Sequence, residues 1–143
     1  MLDTASLVTA VRSSGGAAGE VLRMIFREEV VALMDFKLGL EYREVVLRPE
    51  HVNASALNRD EISELIEALE AFSEPVEVLI KSRPLTSDPN DDMVMDVAVN
   101  GGADALVTGN TKHFASAGKR FGIPVLSPTE VLEQMRSRKQ DGE

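Results

Sequence analysis

The chain has 143 residues, the usual size of one domain and enough to bury a core without covalent cross-links. It contains no Cys, which excludes disulfides, thiolate-held zinc, iron–sulfur clusters and cysteine nucleophiles. Its formal net charge of −9 argues against a protein that coats duplex nucleic acid through a basic face. No apolar stretch approaches the roughly 18 residues of a membrane span, and no secretory signal is recognisable. We therefore expect one soluble, cytoplasmic domain over residues 1–143, with no membrane partner and a frayed tail at 136–143.

The first half of the chain alternates short apolar segments with helical patterns. Leu2 belongs to a short first strand that runs directly into the start of a helix. Apolar residues recur at helical spacing over 17–28, and the partly β-branched run 30–34 is typical of a buried strand. Asp35 can cap the next helix, which we expect to end at about Val46.

The second half continues this alternation and begins with the clearest helix signal in the sequence. Asn58 and Glu61 form the pattern of a capping box, and the helix that they begin ends before Pro75. The later predicted elements are a strand at 76–80, a polar loop at 81–90, a helix opened by Asp91 and Asp92 and stopped by Gly101-Gly102, a strand at 105–107, a turn at 109–112, a strand at 124–126 and a helix begun by Ser127. Strands that alternate with helices predict an α/β fold, in which a parallel sheet binds ligands at the edge where its strands end.

Side chains with oxygen ligands follow each of the first four predicted strands. Asp3 comes at the end of the first strand, and Glu41 lies about two turns into the helix after the second. Asp91 is in the first turn of the helix after the third strand, and Asn110 follows the fourth. Because parallel strands end at one edge, we expect these side chains to share a crevice. Crowded carboxylates are costly without a positive partner, and oxygen ligands suit Mg²⁺ or Mn²⁺, ions that typically serve phosphoryl chemistry.

Each of these acids also has an ordinary structural explanation. Asp3 can be a turn residue at the end of a strand, and Glu41 can pair with a neighbouring Arg. Asp91 and Asp92 can be acids that the dipole of a helix favours in its first turn. From the residues alone, a metal site and these ordinary explanations both stay open.

Three residues near the fourth strand are further candidates. Thr108 can hydrogen-bond a ligand or water in the crevice, or it can satisfy backbone groups at the strand end. Lys112 and His113 can contact RNA phosphates, but both are also explained as exposed residues of a turn.

Four segments resemble, in order and spacing, the motifs of the PIN-domain family. The segments are Leu2-Asp3-Thr4, Glu41-Tyr42-Arg43-Glu44-Val45, Asp88-Pro89-Asn90-Asp91-Asp92 and Gly102-Ala103-Asp104-Ala105-Leu106-Val107-Thr108-Gly109-Asn110. The resemblance extends from Met1 to about Arg136 and is strongest to the toxin branch of bacterial and archaeal toxin–antitoxin pairs. It implies a three-layer α/β/α domain with a central parallel sheet of four to five strands.

The resemblance also implies an activity, a site and partners. The family's activity is that of a Mg²⁺- or Mn²⁺-dependent ribonuclease, and its first three acids match Asp3, Glu41 and Asp91. Asp92 is the alternative third acid, because the doubled Asp leaves the register open by one residue. RNA is the implied substrate, and a small antitoxin protein and a second copy of the chain are the implied partners.

The sequence departs from the family's pattern at two positions. Ala5 stands where Asn often follows Asp-Thr, and Asn110 stands where a fourth acid usually follows Thr-Gly. Asn110 offers a carbonyl oxygen but no charge, so its expected role is to position metal or water. Asp104 is a candidate substitute acid, although a turn before the strand explains it better. These departures favour a second interpretation, a catalytically degenerate PIN-like domain that binds RNA or protein without cutting.

Overall fold

Helices and short parallel strands alternate along the chain in the computed structural model, which describes residues 1–81 and 89–141. The predicted polar loop at 81–90 falls mostly outside the described residues. The helices are α1 (Thr4–Arg12), α2 (Ala17–Phe26), α3 (Phe36–Val46), α4 (Pro49–Ala54), α5 (Arg59–Phe72), α6 (Pro89–Asn100), α7 (Thr111–Phe121) and α8 (Pro128–Gln140), and the strands are β1 (Leu33–Met34), β2 (Glu74–Pro75), β3 (Leu106–Val107) and β4 (Val125–Leu126). The predicted α/β class is confirmed.

The strands form two parallel pairs instead of one continuous sheet. β1 pairs with β2, and β3 pairs with β4. Leu2 adds an isolated parallel bridge to Val107, so the first segment of the chain lies beside β3. Within the described residues, the prediction of a central sheet of four to five strands is therefore wrong. An open cavity of about 500 Å³ is lined by the starts of both pairs, including Ala32 and Leu33 on one side and Ala105 on the other.

The predicted strand at 76–80 is also wrong, because β2 ends at Pro75. A side chain takes the place of a neighbouring strand in this segment. The Oδ1 atom of Asn100 accepts hydrogen bonds from the N–H groups of Leu79 and Ile80, and its Nδ2 donates to the carbonyl of Ile80. An amide from the end of α6 therefore satisfies the backbone that was expected to join the sheet.

The helix boundaries follow the local signals closely. Asp35 caps α3, and capping boxes begin α5 at Asn58 and α8 at Ser127, all as predicted. α6 ends at the predicted Gly101-Gly102 pair, where Gly102 has a φ of 62° that glycine adopts without strain. Helical backbone in α8 continues to Gln140, through most of the segment for which a frayed tail is expected.

Two helices have no counterpart among the predicted elements. α7 begins inside the predicted turn at 109–112, and α4 lies between the predicted helix that ends at about Val46 and the one that Asn58 begins, where no element is predicted. α7 is hard to recognise from the sequence because few of its buried side chains are large, and Phe114 is the main one. Its contact with β4 is made at a glycine. A Cβ atom added at Gly118 would lie 2.6 Å from Cγ2 of Val125, so that position leaves no room for a larger residue.

The core joins the helices across both strand pairs. α1 packs against α2 and α3, α2 packs against α8, and α3 packs against α5 and α6. The predicted buried face of α6, which comprises Val94, Val97 and Ala98, is confirmed. In the described part of the chain, no helix is both long and apolar enough to cross a membrane.

Candidate active site

Asp3 is a buried carboxylate held at the junction of the first strand segment and α1. Its backbone N–H donates to the carbonyl of Val107 at 3.0 Å, which continues the bridge beside β3. Its Oδ1 caps α1 by accepting from the N–H of Ser6 at 2.9 Å, and its Oδ2 accepts from the hydroxyl of Thr108 at 2.6 Å. The residue is only 5% exposed. Neutral donors therefore fix the direction of both carboxylate oxygens without neutralising the charge.

Thr108 links Asp3 to the segment that follows β3. The side chain of Thr108 is fully buried, and its hydroxyl donates to Asp3 while accepting from the backbone N–H of Asn110 at 3.0 Å. Of the two roles expected from the sequence, the structure shows the satisfaction of a backbone group at the strand end, and the hydroxyl's other partner is the carboxylate of Asp3.

Asn110 is the N-cap residue of α7. Its Oδ1 accepts from the backbone N–H of His113 at 3.4 Å, which is the ordinary use of Asn before a helix. The side-chain oxygen that would replace the family's fourth acid is therefore oriented by the start of α7. Asp104, the candidate substitute acid, lies in a bend before β3, as the turn explanation predicts.

Asp91 and His113 connect the beginnings of α6 and α7. The Nε2 atom of His113 lies 2.5 Å from Oδ2 of Asp91, and the two side chains are 32% and 25% exposed. The ring of His113 also meets the buried ring of Phe114 edge-on, with centroids 5.2 Å apart. This carboxylate–imidazole contact was not foreseen from the sequence, because nothing in the local pattern predicts that α7 exists.

Asp92 and Asp96 are the most buried acids of α6. Each is 4% exposed, and they are four residues apart, so they lie on the same face of the helix. Asp92 is a predicted site residue, whereas Asp96 was not predicted. Its spacing of four residues from Asp92 is the signal in the sequence that could have found it.

Glu41 and Tyr42 follow one another on α3. The side chain of Glu41 is partly exposed, whereas Tyr42 is buried and its hydroxyl donates to the carbonyl of Leu2. Burial, and then the charges of Asp3 and Asp35, raise the pKa of Tyr42 above its ordinary value. Tyr42 thus ties α3 to the residue directly before Asp3.

The chemistry of these donors fits a hard cation, although no complete metal cage is assembled in the described structure. Among residues 1–81 and 89–141, no three His, Asp or Glu side chains are grouped in a way that could hold a metal ion. Two buried hydroxyl oxygens in the first turn of α1, Thr4 Oγ1 and Ser6 Oγ, have no hydrogen-bond partner. Orphaned hydroxyls beside the carboxylate of Asp3 are suited to a hydrated cation such as Mg²⁺ or Mn²⁺.

A buried carboxylate whose two oxygens are both oriented by hydrogen bonds is a group suited to holding a divalent cation. A family model described as PIN domain matches residues 1–112. The chain therefore belongs to the PIN-domain family, whose members are commonly nucleases that typically use divalent metal ions and bind RNA. Comparisons with curated proteins and with solved structures gave no match.

Proposed function

We propose that this chain is a metal-dependent endoribonuclease that cleaves RNA phosphodiesters in the cytoplasm, as the toxin of a toxin–antitoxin pair. The observation that carries the proposal is the burial and the hydrogen bonding of the Asp3 carboxylate within a PIN domain. Its carboxylate is buried, and Ser6 and Thr108 orient both of its oxygens. Helix capping needs only one carboxylate oxygen, whereas both oxygens of Asp3 are oriented by donors. Two buried hydroxyl oxygens in the first turn of α1 also have no hydrogen-bond partner. A bound cation explains these features better than helix capping alone.

Three acids are the proposed ligands of Mg²⁺ or Mn²⁺: Asp3, Glu41 and Asp91, with Asp92 as the alternative to Asp91. Bound there, the ion would activate water and stabilise negative charge on the scissile phosphate. Thr108 holds Asp3 in position, and Asn110 positions metal or water at the edge of the site.

RNA is proposed to approach along the start of α7. Lys112 is exposed in the first turn of this helix, and Lys119 and Arg120 are exposed near its end. These cations supply local attraction for phosphate in a chain whose net charge is −9. His113 was proposed as a second RNA contact, but its ring is directed at Asp91, so we assign phosphate contact to Lys112.

The proposed protein partners are a small antitoxin and a second copy of the chain. Two large apolar side chains on α3, Phe36 and Leu40, are exposed beside a cavity of about 360 Å³. Exposed apolar groups next to a concave surface are typical of sites that another protein covers.

The test is cleavage of a mixed RNA pool by the chain with Mn²⁺, with Mg²⁺ and with chelator. We expect cleavage with either ion and none with chelator. Asp91→Asn should lower the rate more than about 100-fold, since even the groups that support a metal ligand contribute 10- to 100-fold. Asp92→Asn is measured beside it to settle the register.

Asp104→Asn is the matched control, because it removes an exposed acid in the bend before β3 and should leave the rate unchanged. Cleavage in chelator, or equal rates for the parent and Asp91→Asn, would contradict the proposed site. RNA binding without cleavage under all conditions would instead favour the degenerate, non-cutting interpretation, for which the replacement of the fourth acid by Asn110 is the main support.

A further inference from the structure

We propose that a groove beside α3 binds a basic amphipathic helix of another protein. The groove is the cavity of about 360 Å³ beside Phe36 and Leu40, and its lining also includes Glu70 of α5 and Pro75 of β2. The inference rests on the proposed function, because it selects one of the two protein partners named there for this surface. It also states the chemistry by which that partner is recognised.

The groove is bordered by two large apolar side chains that the described part of the chain leaves uncovered. Phe36 is 81% exposed and Leu40 is 52% exposed, and both lie on one face of α3 because they are four residues apart. Gly39 also lines the groove and brings no side chain into it. Apolar groups at the edge of a concave surface supply the anchors of a protein–protein contact.

The strand beside the groove is unsuited to extension by a partner strand. The N–H groups of Glu74 and Val76 donate to carbonyls on the β1 side, at 2.8 and 2.9 Å. Because successive residues of a strand direct their N–H groups to opposite edges, the residue that faces the open edge of β2 is Pro75, which has no N–H group. We therefore expect the partner to lay a helix into the groove instead of adding a strand.

Negative charge collects on the α5 side of the groove. Residues 58–77 contain seven Asp and Glu residues and one cation, whereas α3 carries equal numbers of acids and cations. Arg43 of α3 contacts Ser63 and Glu70, so the face of α5 that includes these two residues is directed toward α3. Glu67 lies on the same face, since it is four residues after Ser63 and three before Glu70, and it is exposed. An acidic face of α5 thus borders the groove.

This charge distinguishes between the two proposed partners. In a twofold dimer through the groove, each copy would present the same surface, so the acids of one α5 would meet the acids of the other. Like charges brought together across an interface oppose association, whereas a positively charged partner is attracted. The occupant is therefore a helix with apolar residues for the contact with Phe36 and Leu40, and with Lys or Arg residues beside them for the contact with α5.

The probe is a fluorescently labelled model helix made of Leu and Lys, with its leucines at helical spacing along one face. Its binding to the full chain is followed by fluorescence anisotropy, without RNA or metal. One control peptide carries Glu in place of Lys, and a second has the same composition in a scrambled order that abolishes the apolar face. We expect the amphipathic basic helix to bind, more weakly as the salt concentration rises, and neither control peptide to bind.

Variants of the chain locate the binding surface. Phe36→Ala and Leu40→Ala should each weaken binding of the basic helix about 10-fold or more, as apolar anchors do. Val31→Ala is the matched control, because Val31 is also exposed but lines the other cavity. Glu67→Lys should weaken binding several-fold, whereas Glu133→Lys makes the same change in net charge on α8 and should leave the affinity unaltered.

Several results would overturn the inference. These are equal binding of either control peptide, equal loss of affinity in Glu67→Lys and Glu133→Lys, and unchanged affinity in Phe36→Ala and Leu40→Ala. Sedimentation tests the second copy as the occupant: we expect the same oligomeric state for the parent and Phe36→Ala, and a dimer that becomes monomeric in the variant would assign the groove to self-association instead. RNA cleavage is measured separately, so its absence would contradict the proposed nuclease and leave the peptide result unaffected.

Discussion

The hydroxyl of Thr108 donates a 2.6 Å hydrogen bond to the carboxylate of Asp3 across 105 positions of sequence. Both residues are buried, and the same hydroxyl accepts from the N–H of Asn110. One side chain therefore connects the proposed first metal ligand to the residue that starts α7. Substitution of Thr108 should therefore affect both the position of the Asp3 carboxylate and the start of α7.

Thr108→Val should reduce the free energy of unfolding by about 1–3 kcal/mol. Valine has nearly the same shape but leaves a buried carboxylate and a backbone N–H each short of one partner. Denaturant unfolding followed by circular dichroism measures the change. Thr9→Val is the matched control, because the hydroxyl of Thr9 is exposed and bonds only within α1, so its change should stay within about 0.5 kcal/mol. Equal effects of the two substitutions would contradict the role given to Thr108.

Tyr42 should remain un-ionised in the folded chain well above pH 10, because burial and the charges of Asp3 and Asp35 raise its pKa. In the unfolded chain the phenol ionises near pH 10, so the unfolded state loses a proton that the folded state keeps. The free energy of unfolding should therefore be unaffected below pH 10 and fall as the pH rises beyond it.

The chain has one Tyr, so absorbance of tyrosinate near 295 nm reports on Tyr42 alone. We expect this absorbance to appear together with loss of structure, and Tyr42→Phe to have a shallower fall in stability above pH 10. Ionisation at an ordinary pH in a chain that is still folded would show that the hydroxyl is accessible and not bound to Leu2.

Mn²⁺ should stabilise the chain, because the proposed site exists only in the folded state. At an ion concentration about 100 times the dissociation constant, the free energy of unfolding should rise by ~2.7 kcal/mol, and Mg²⁺ at equal concentration should give less. Thermal unfolding with and without chelator measures this, and Asp91→Asn should abolish most of the shift. An unchanged melting temperature in millimolar Mn²⁺ would argue for the non-cutting interpretation.

Asn110→Asp should enlarge the stabilisation by Mn²⁺. Aspartate is as good an N-cap as asparagine, so α7 should still begin at Thr111, and the added carboxylate would attract the ion at the position of the family's fourth acid. Without metal, repulsion from the nearby acids opposes the favourable helix dipole, so the melting temperature should change little. Asn53→Asp adds the same charge to an exposed position on α4 and should leave the metal-induced shift unaltered. Identical shifts in both variants would place Asn110 away from the ion.

Local signals in the sequence predicted local structure. The capping boxes at Asn58 and Ser127 and the glycine stop after α6 depend on residues within one turn of each other, so their pattern is complete in the sequence. The PIN family was also recognisable, because its motifs keep their order along the chain.

Features that depend on distant parts of the chain were not predictable in this way. The split between the two strand pairs depends on which segments meet in space, and Asn100 could not be recognised as the partner of Leu79 and Ile80 from its own neighbourhood. The burial of Asp96 and the approach of His113 to Asp91 likewise require that α6 and α7 first be placed together. The contacts within the candidate site were therefore not predictable from the sequence.

The PIN-domain match ends at residue 112, but β3 is hydrogen-bonded to residues that follow this match. The N–H groups of Leu106 and Thr108 donate to the carbonyls of Pro124 and Leu126, at 2.8 and 2.9 Å. β3, which lies next to Asp3, is thus hydrogen-bonded along its other edge to residues outside the matched segment. The matched segment is consequently shorter than the segment that holds Thr108 in place, and residues 113–143, which lie outside the match, still contribute to the rigidity of the candidate site.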